Sequence, residues 1–509
     1  MNERWDVYSP STGEKIYTME ETNISDLPIV IKQSKKSFIS WSQLDISDRL
    51  IYFTKLRNVI INQLDKTADI VSQDAGKVKL DALVADVMPV LDFLTFIEKN
   101  AKRMLQRQKV ATPILFIGKK SYIDYMPRGV VLVISPWNYP FQLSMVPILS
   151  ALISGNTVVA KPSEVTPYVG KHMEDLFKQA GFPDGVVQFA HGGKDLGQAL
   201  VESNPDYIFF TGSVATGKII AQQAVKHLIP YTLELGGKDP MIVCEDANIE
   251  RAAKGAVWGA FTNSGQVCMS VERLYVHEKI HESFVSAVKR EIAYLKQGST
   301  IDDDIGSMTF DNQVEIVKKH VNDALNKGAT LETGTPPDQW NESSMFINPM
   351  VLTNVTNDMK IVNEETFGPI MPIIPFKNEE EVISLANNSL YGLNASVWSN
   401  DLTRANRIAN QLVSGAVIIN DVIISVANHH LPFGGAKQSG IGRYHGENGL
   451  RMFCHEKAIM IDSGKKVKEV QWYPYRGKYE DFKNLIVAFF GDSKKWPTFL
   501  KSYLKLQKK

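Results

Sequence analysis

The stretch from about 130 to 210 limits the possible folds of this chain more than any other. Val130-Val131-Leu132-Val133-Ile134, Thr157-Val158-Val159-Ala160-Lys161, Val186-Val187-Gln188-Phe189 and Tyr207-Ile208-Phe209-Phe210 are short runs dominated by β-branched and aromatic residues. Helical spacing begins near 140, 166 and 195, between these runs. A strand that is apolar at every position must be covered on both faces, and strands alternating with helices pair in parallel. A second block repeats the alternation from about 273 to 420. It runs through Leu274-Tyr275-Val276, helices over 279–296 and 311–327, Pro372-Ile373-Ile374-Pro375-Phe376, a helix over 379–387, Ala395-Ser396-Val397-Trp398, a helix over 401–411 and Ala416-Val417-Ile418-Ile419. A chain of 509 residues is too long for one core. The expected fold is therefore α/β, with two doubly wound Rossmann-like domains.

Several function classes are disfavoured by composition. The 56 basic and 56 acidic residues balance, so no global field points to nucleic acid. Three cysteines, Cys244, Cys268 and Cys454, are too few and too scattered for a disulfide framework, which predicts a reducing, cytoplasmic setting. The opening Met1-Asn2-Glu3-Arg4-Trp5-Asp6 has no apolar core, so no secretory signal is expected. No apolar run reaches the roughly 18 residues of a spanning helix. No metal site is expected, because His-Glu-x-x-His and Cys-x-x-Cys are missing from the sequence and adjacent His429 and His430 cannot readily face one ion.

The flanks read differently. Ser9-Pro10-Ser11-Thr12-Gly13-Glu14 is a turn between short extended pieces, and residues 25 to 108 have helical periodicity. Ile114-Leu115-Phe116-Ile117, a turn at Gly118-Lys119-Lys120 and Ser121-Tyr122-Ile123-Asp124-Tyr125 read as a hairpin. From about 467 the chain becomes aromatic and basic, with Phe499, Leu500, Tyr503 and Leu504 predicted on one helical face. That pattern fits a helix lying on an anionic membrane or a helix docked on its own subunit or a neighbour, and the docked helix is the expected reading.

Ligands of doubly wound sheets sit beyond the carboxyl ends of the strands, so the residues there carry the chemistry. Ser135-Pro136-Trp137-Asn138 follows the first strand and Lys161-Pro162-Ser163-Glu164 the second. Thr211-Gly212-Ser213 opens a helix, which suits a pyrophosphate or is simply a capped helix start. In Thr232-Leu233-Glu234-Leu235-Gly236-Gly237, the carboxyl is either a water-facing edge residue or a buried base with a raised pKa. Phe261-Thr262-Asn263-Ser264-Gly265-Gln266-Val267-Cys268 places a cysteine on a polar loop after a helix, as a structural thiol or as a nucleophile. Glu364-Glu365-Thr366-Phe367-Gly368-Pro369 is a turn that could hold a sugar hydroxyl. The glycine-rich stretch Leu431-Pro432-Phe433-Gly434-Gly435 to Ser439-Gly440-Ile441-Gly442 reads as a plain connector.

Taken together and in this order, those motifs resemble the NAD(P)-dependent aldehyde dehydrogenase superfamily, from about residue 5 to 463. Tyr444-His445-Gly446 is similar to the class 3, fatty-aldehyde branch, whereas the arm with Ser9-Pro10-Ser11-Thr12-Gly13 is closer to other classes. The resemblance implies that Cys268 attacks an aldehyde carbon. The Asn138 amide and the Cys268 backbone N–H would hold the oxyanion, and Glu234 would activate the water that releases a carboxylic acid. It implies NAD as cofactor, with NADP possible, and Ser135, Trp137, Lys161, Ser163, Glu164, Gly212, Ser213, Leu235, Glu365 and Phe367 as its binding residues. It implies an NAD-binding domain at 1–113 and 128–238, a catalytic domain at 239–435, an oligomerisation arm at 114–127 and 450–463 serving a homodimer or homotetramer, and an extension at 464–509. The expected substrate is a small-molecule aldehyde. Tyr139, Leu143, Val146, Met269 and Phe433 would line an apolar tunnel and favour a long-chain, aromatic or apocarotenoid-like one. An acylating, coenzyme A-dependent or acyl-reducing member, or a non-catalytic scaffold, are the alternatives.

Overall fold

The computed structural model describes residues 4–341 and 344–508. The opening Met1-Asn2-Glu3, read above as lacking a signal, and Lys509 of the tail lie outside the described residues. The chain divides into two compact units, one of residues 1–106 and 125–456, the other of 107–124 and 457–509.

The larger unit contains both predicted sheets. In chain order the first is built from β1 (Val130–Ile134), β2 (Thr157–Lys161), β3 (Val187–Phe189), β4 (Tyr207–Thr211) and β5 (Tyr231–Glu234). The second is built from β6 (Asp239–Val243), β7 (Val271–His277), β8 (Thr330–Thr333), β9 (Met350–Thr353), β10 (Ile370–Phe376), β11 (Asn394–Trp398) and β12 (Ala416–Ile419). A last short strand, β13 (Gly440–Ile441), returns to the first sheet. The orders are β13-β5-β4-β1-β2-β3 and β8-β9-β10-β7-β6-β11-β12. All pairings are parallel except β8 with β9 and β13 with β5. Helices Gln142–Ile153, Pro167–Gln179, Lys194–Glu202 and Val214–Lys226 make the crossovers of the first sheet.

Alternation along each strand sends its side chains to two cores. Val131, Val133 and Phe209 join one cluster, while Val130, Leu132, Ile208 and Phe210 join another on the opposite face. Met241, Val243, Leu274 and Val276 of the second sheet belong to the same cluster as Val131 and Phe209, so one core is shared by both sheets. The strand order reverses beside β1, with β2 on one side and β4 on the other. A crevice therefore opens where the loops after β1 and β4 diverge.

The smaller unit departs from the sequence reading. Ile114–Phe116 is a 3-10 turn, not a strand, and the strand that pairs with Lys120–Pro127 is Gln108–Val110. Pro113 starts that turn, its carbonyl accepting from the Phe116 N–H at 2.9 Å. The tail forms two helices, Tyr479–Phe490 and Trp496–Lys508. They pack on each other through Leu485, Ala488, Phe499 and Leu506. The buried face of the second helix is Phe499, Ser502 and Leu506, whereas Leu500 and Leu504 point outward. The predicted grouping of Phe499 with Leu500 and Leu504 is thus one residue out of phase with the packing.

Phe209→Ala would empty a fully enclosed site between the sheets. It should lower unfolding free energy by about 3–5 kcal/mol, read from denaturant unfolding. Tyr294→Ala, at a largely exposed position, should stay within about 0.5 kcal/mol.

Candidate active site

The two sheets meet through a four-residue connection. β5 ends on Glu234, and after Leu235-Gly236-Gly237-Lys238 the chain enters β6 at Asp239. The carboxyl ends of the first sheet therefore face the start of the second. Cys268 lies three residues before β7. A Cβ on Gly237 would stand 2.3 Å from the Cys268 carbonyl oxygen, so only glycine permits this approach.

The loop carrying the thiol is held in an uncommon conformation. Asn263, Ser264 and Gly265 all have positive φ, at 50, 55 and 72°. Two of the three are not glycine, a strain that persists only when the surroundings enforce it. Gln266 enforces it by accepting from the Thr309 N–H at 2.9 Å and donating to the Asn263 carbonyl at 3.0 Å. The Ser264 hydroxyl donates to the Gly306 carbonyl at 2.8 Å.

The same loop orients Asn138. Its side-chain amide donates to the Gln266 carbonyl at 3.0 Å, leaving one amide N–H for a ligand. Its backbone carbonyl accepts from Asn263 Nδ2 at 3.0 Å and from Lys77 Nζ at 2.7 Å. Lys77 is fully buried, paired with Asp86 at 2.7 Å, and lies over the Tyr139 ring at 3.9 Å. Asp86 in turn accepts from the Phe141 and Gln142 N–H groups, each at 3.1 Å. This buried network, which spacing along the sequence does not reveal, fixes the Trp137-Asn138-Tyr139 turn from behind.

A cavity of about 230 Å³ opens in front of it. Trp137, Asn138, Gly212, Ser213, Glu234, Leu235, Cys268, Glu365 and Phe367 line it, and so do Leu143, Gln313 and Ile316. The structure thus brings Asn138, Glu234 and Cys268 to one space. Gln313 and Ile316 carried no signal in the sequence, being ordinary positions of an amphipathic helix. Of the predicted tunnel residues, Leu143 lines the cavity, while Tyr139, Val146, Met269 and Phe433 are buried and do not line it.

Ser135, Lys161, Ser163 and Glu164 form a second group at the ends of β1 and β2. The Ser135 N–H donates to the Lys161 carbonyl at 3.1 Å, and Lys161 Nζ reaches Glu164 at 2.7 Å. The Ser163 hydroxyl accepts from the Val165 N–H. Ser213, itself on the cavity lining, caps the helix Val214–Lys226. An elongated dinucleotide fits this layout: aromatic walls at Trp137 and Phe367, a helix N-terminus, then a polar pair. Glu365 accepts from the Gly237 N–H at 3.0 Å, and Glu272, bound to Lys238 at 2.6 Å, accepts from the N–H groups of Thr366 and Phe367, each at 2.8 Å. The turn that carries Phe367 is therefore anchored by a buried ion pair.

Burial raises the Glu234 carboxyl well above the ordinary range, with Arg443 pulling the other way. Both its oxygens lack a hydrogen-bond partner among the described residues. The edge-strand reading of Glu234 is thereby replaced: β13 pairs with β5, matching Gly440 with Glu234, and covers the edge. The glycine-rich stretch is accordingly more than the connector expected. A Cβ on Gly434 would lie 2.9 Å from Glu234 Oε1. Burial likewise pushes the Cys268 thiol up, helped by the charges of Asp239, Glu365 and Glu234. Glu365 is raised to about 8, by burial and then by Glu272. Burial thus drives the thiol toward its neutral form and leaves a carboxyl with spare acceptor capacity on the same cavity.

Comparison with known proteins places this geometry in context. The profile of the Aldehyde dehydrogenase family matches residues 1–459. A Methylomonas protein named 4,4'-diapolycopene aldehyde oxidase is 42% identical over 91% of this chain and 88% of its own length. A putative succinate-semialdehyde dehydrogenase [NADP(+)] of Mycolicibacterium smegmatis is 34% identical over 88% and 87%. The NAD+ complex of a Bacillus cereus aldehyde dehydrogenase superposes with a TM-score of 0.86 at 34% identity, covering 91% of this chain and 94% of that one.

Cys244 and Cys454 are buried, with thiols pushed up by burial to about 12 and 11, and only Cys268 is partly open. Iodoacetamide should therefore modify one thiol per chain in the ligand-free protein. Its rate should still climb past about pH 9. A plateau below neutrality would mean a preformed thiolate instead.

Proposed function

The chain belongs to the aldehyde dehydrogenase family, and on that premise we propose that it oxidises an apolar aldehyde to the carboxylic acid with Cys268 as nucleophile. The observation that carries the reading is the meeting of Asn138, Glu234 and Cys268 around one cavity. The Cys268 sulfur bonds to the carbonyl carbon, and its proton passes to Glu234, whose free oxygens and raised basicity suit the transfer. The Asn138 side chain and the Cys268 N–H hold the oxyanion, a donor of a kind worth about 3–4 kcal/mol of barrier. A nicotinamide dinucleotide, when bound, would supply the hydride acceptor needed to take the Cys268 thiohemiacetal to a thioester. Glu234, having passed the thiol proton to solvent, then takes a proton from water as it attacks the thioester, and returns that proton to the departing sulfur as the acid is released. A carboxyl at Glu234 makes water the acceptor here, in preference to coenzyme A.

Trp137, Gly212, Ser213, Leu235, Glu365 and Phe367, with Ser135, Lys161, Ser163 and Glu164 beyond, would hold the dinucleotide. The first sheet then serves the cofactor and the second presents the thiol. A carboxylate at Glu164 favours a free ribose hydroxyl over a phosphate, so NAD is preferred and NADP tolerated. The strands at 108–127 and 454–461 would serve oligomerisation, as a homodimer or homotetramer. The unpaired cysteines fit a cytoplasmic setting.

The apolar substrate follows from the lining. Leu143 and Ile316, which the dinucleotide does not use, supply apolar wall, and the charged group on that side is the carboxyl Glu234. A substrate carboxylate would meet no cation among these residues and would be repelled. The substrate in the Methylomonas relative's name, 4,4'-diapolycopene aldehyde, agrees with this better than succinate semialdehyde does. A panel of aldehydes with NAD and NADP tests the reading. Long-chain or polyene aldehydes with NAD should exceed succinic semialdehyde in kcat/KM by about tenfold or more, without coenzyme A. A preference for succinic semialdehyde would reject the apolar substrate, and absence of aldehyde oxidation would reject the activity.

A further inference from the structure

The carboxy-terminal segment is unlike the rest of the molecule in charge and in surface. Residues 464–509 contain twelve lysines and arginines against four acids, although the whole chain balances 56 with 56. The segment also lies beyond the family match, which ends at residue 459. Its two helices bury one face against each other through Leu485, Ala488, Phe499 and Leu506. Their other faces carry exposed apolar side chains. On Tyr479–Phe490, exposed Tyr479, Ile486 and Phe490 recur at helical spacing. On Trp496–Lys508, exposed Leu500 and Leu504 form a stripe beside Lys501, Lys505 and Lys508. The preceding loop, with exposed Trp472, Tyr473 and Tyr475, is pinned by buried Lys478, which donates to the Trp472 carbonyl at 2.6 Å and to that of Val470 at 3.0 Å.

Exposed aliphatic stripes edged by lysines and accompanied by tryptophan and tyrosine need a partner that is apolar inside and anionic at its rim. An anionic lipid surface has both properties. Nucleic acid or an acidic protein surface would engage the lysines and leave the leucines in water. A second copy of the hairpin would bring like charges together. At 12 and 13 residues the helices are too short to cross a bilayer, which takes about 20. No helix among the described residues is long and apolar enough to do so.

We propose that the carboxy-terminal helical hairpin docks peripherally on anionic membranes, with Phe490, Leu500 and Leu504 entering the interface and Lys501, Lys505 and Lys508 meeting lipid headgroups. Docking would bring the catalytic unit to the phase in which an apolar aldehyde dissolves; that benefit rests on the function proposed above, whereas the docking itself does not.

Flotation of the full-length protein with phosphatidylcholine vesicles, with and without phosphatidylglycerol, tests the proposal. The protein should float with the anionic vesicles only, and the bound fraction should fall about fivefold or more between low and molar salt. K501E/K505E/K508E and F490S/L500S/L504S should each lose flotation. These exposed positions lie outside the catalytic cavity, so both variants should keep the wild-type circular dichroism spectrum and rate on a water-soluble aldehyde. Failure of the wild type to float would overturn the proposal, as would undiminished flotation of both variants. Concentration-dependent self-association that the variants abolish, without flotation, would also overturn it and make the hairpin a contact between copies. Intact flotation without aldehyde oxidation would reject the function alone.

Discussion

The arrangement of this molecule depends on a contact too close for any side chain. Gly237 runs against the Cys268 carbonyl at a distance that excludes a Cβ, and Gly265 runs against Gly368 in the same way, its absent Cβ falling 2.2 Å from the Gly368 oxygen. These approaches let the end of the first sheet, the thiol loop and the Glu365–Phe367 turn converge within one cavity. Wider spacing would admit a water layer and separate the groups that line the cavity.

Around that convergence the charged groups are arranged in pairs that serve different ends. Lys77 with Asp86, and Lys238 with Glu272, are buried and satisfied, and each accepts or donates to the backbone of a turn lining the cavity. Such pairs contribute little net stability, and removing one partner is costly. Their use here is to fix geometry. Glu234 and Cys268 are the opposite case: both are driven toward their neutral forms by burial. In the proposed reaction, a substrate carbonyl and the oxyanion donors would make ionisation of the thiol favourable.

The sheets were legible because their strands are continuous apolar runs, and most of the cavity was legible because doubly wound sheets place ligands just past those runs. Besides β13, three strands of these sheets were not. Asp239-Pro240 opens β6 with a charge and an imino acid, while β8 and β9 are four residues each and carry no alternation long enough to read. Lys77, Asp86 and Glu272 look like ordinary charged residues, since nothing in their spacing links position 77 to position 138. The pairing of Gly440 with Glu234 spans some two hundred residues, so a loop that covers the carboxyl read as a connector. In the tail, spacing identified an amphipathic helix but could not say which stripe would meet a partner helix.

The central claim is that one sulfur, one carboxyl and one amide act on one carbonyl. The most direct test uses the Glu234→Gln protein, quenched in acid after mixing with an aldehyde and NAD, followed by peptide mass mapping. The account predicts one acyl group per chain, in thioester linkage on the peptide that contains Cys268, with reduced cofactor formed in equal amount. An acyl group on another residue, or full turnover with none retained, would contradict it.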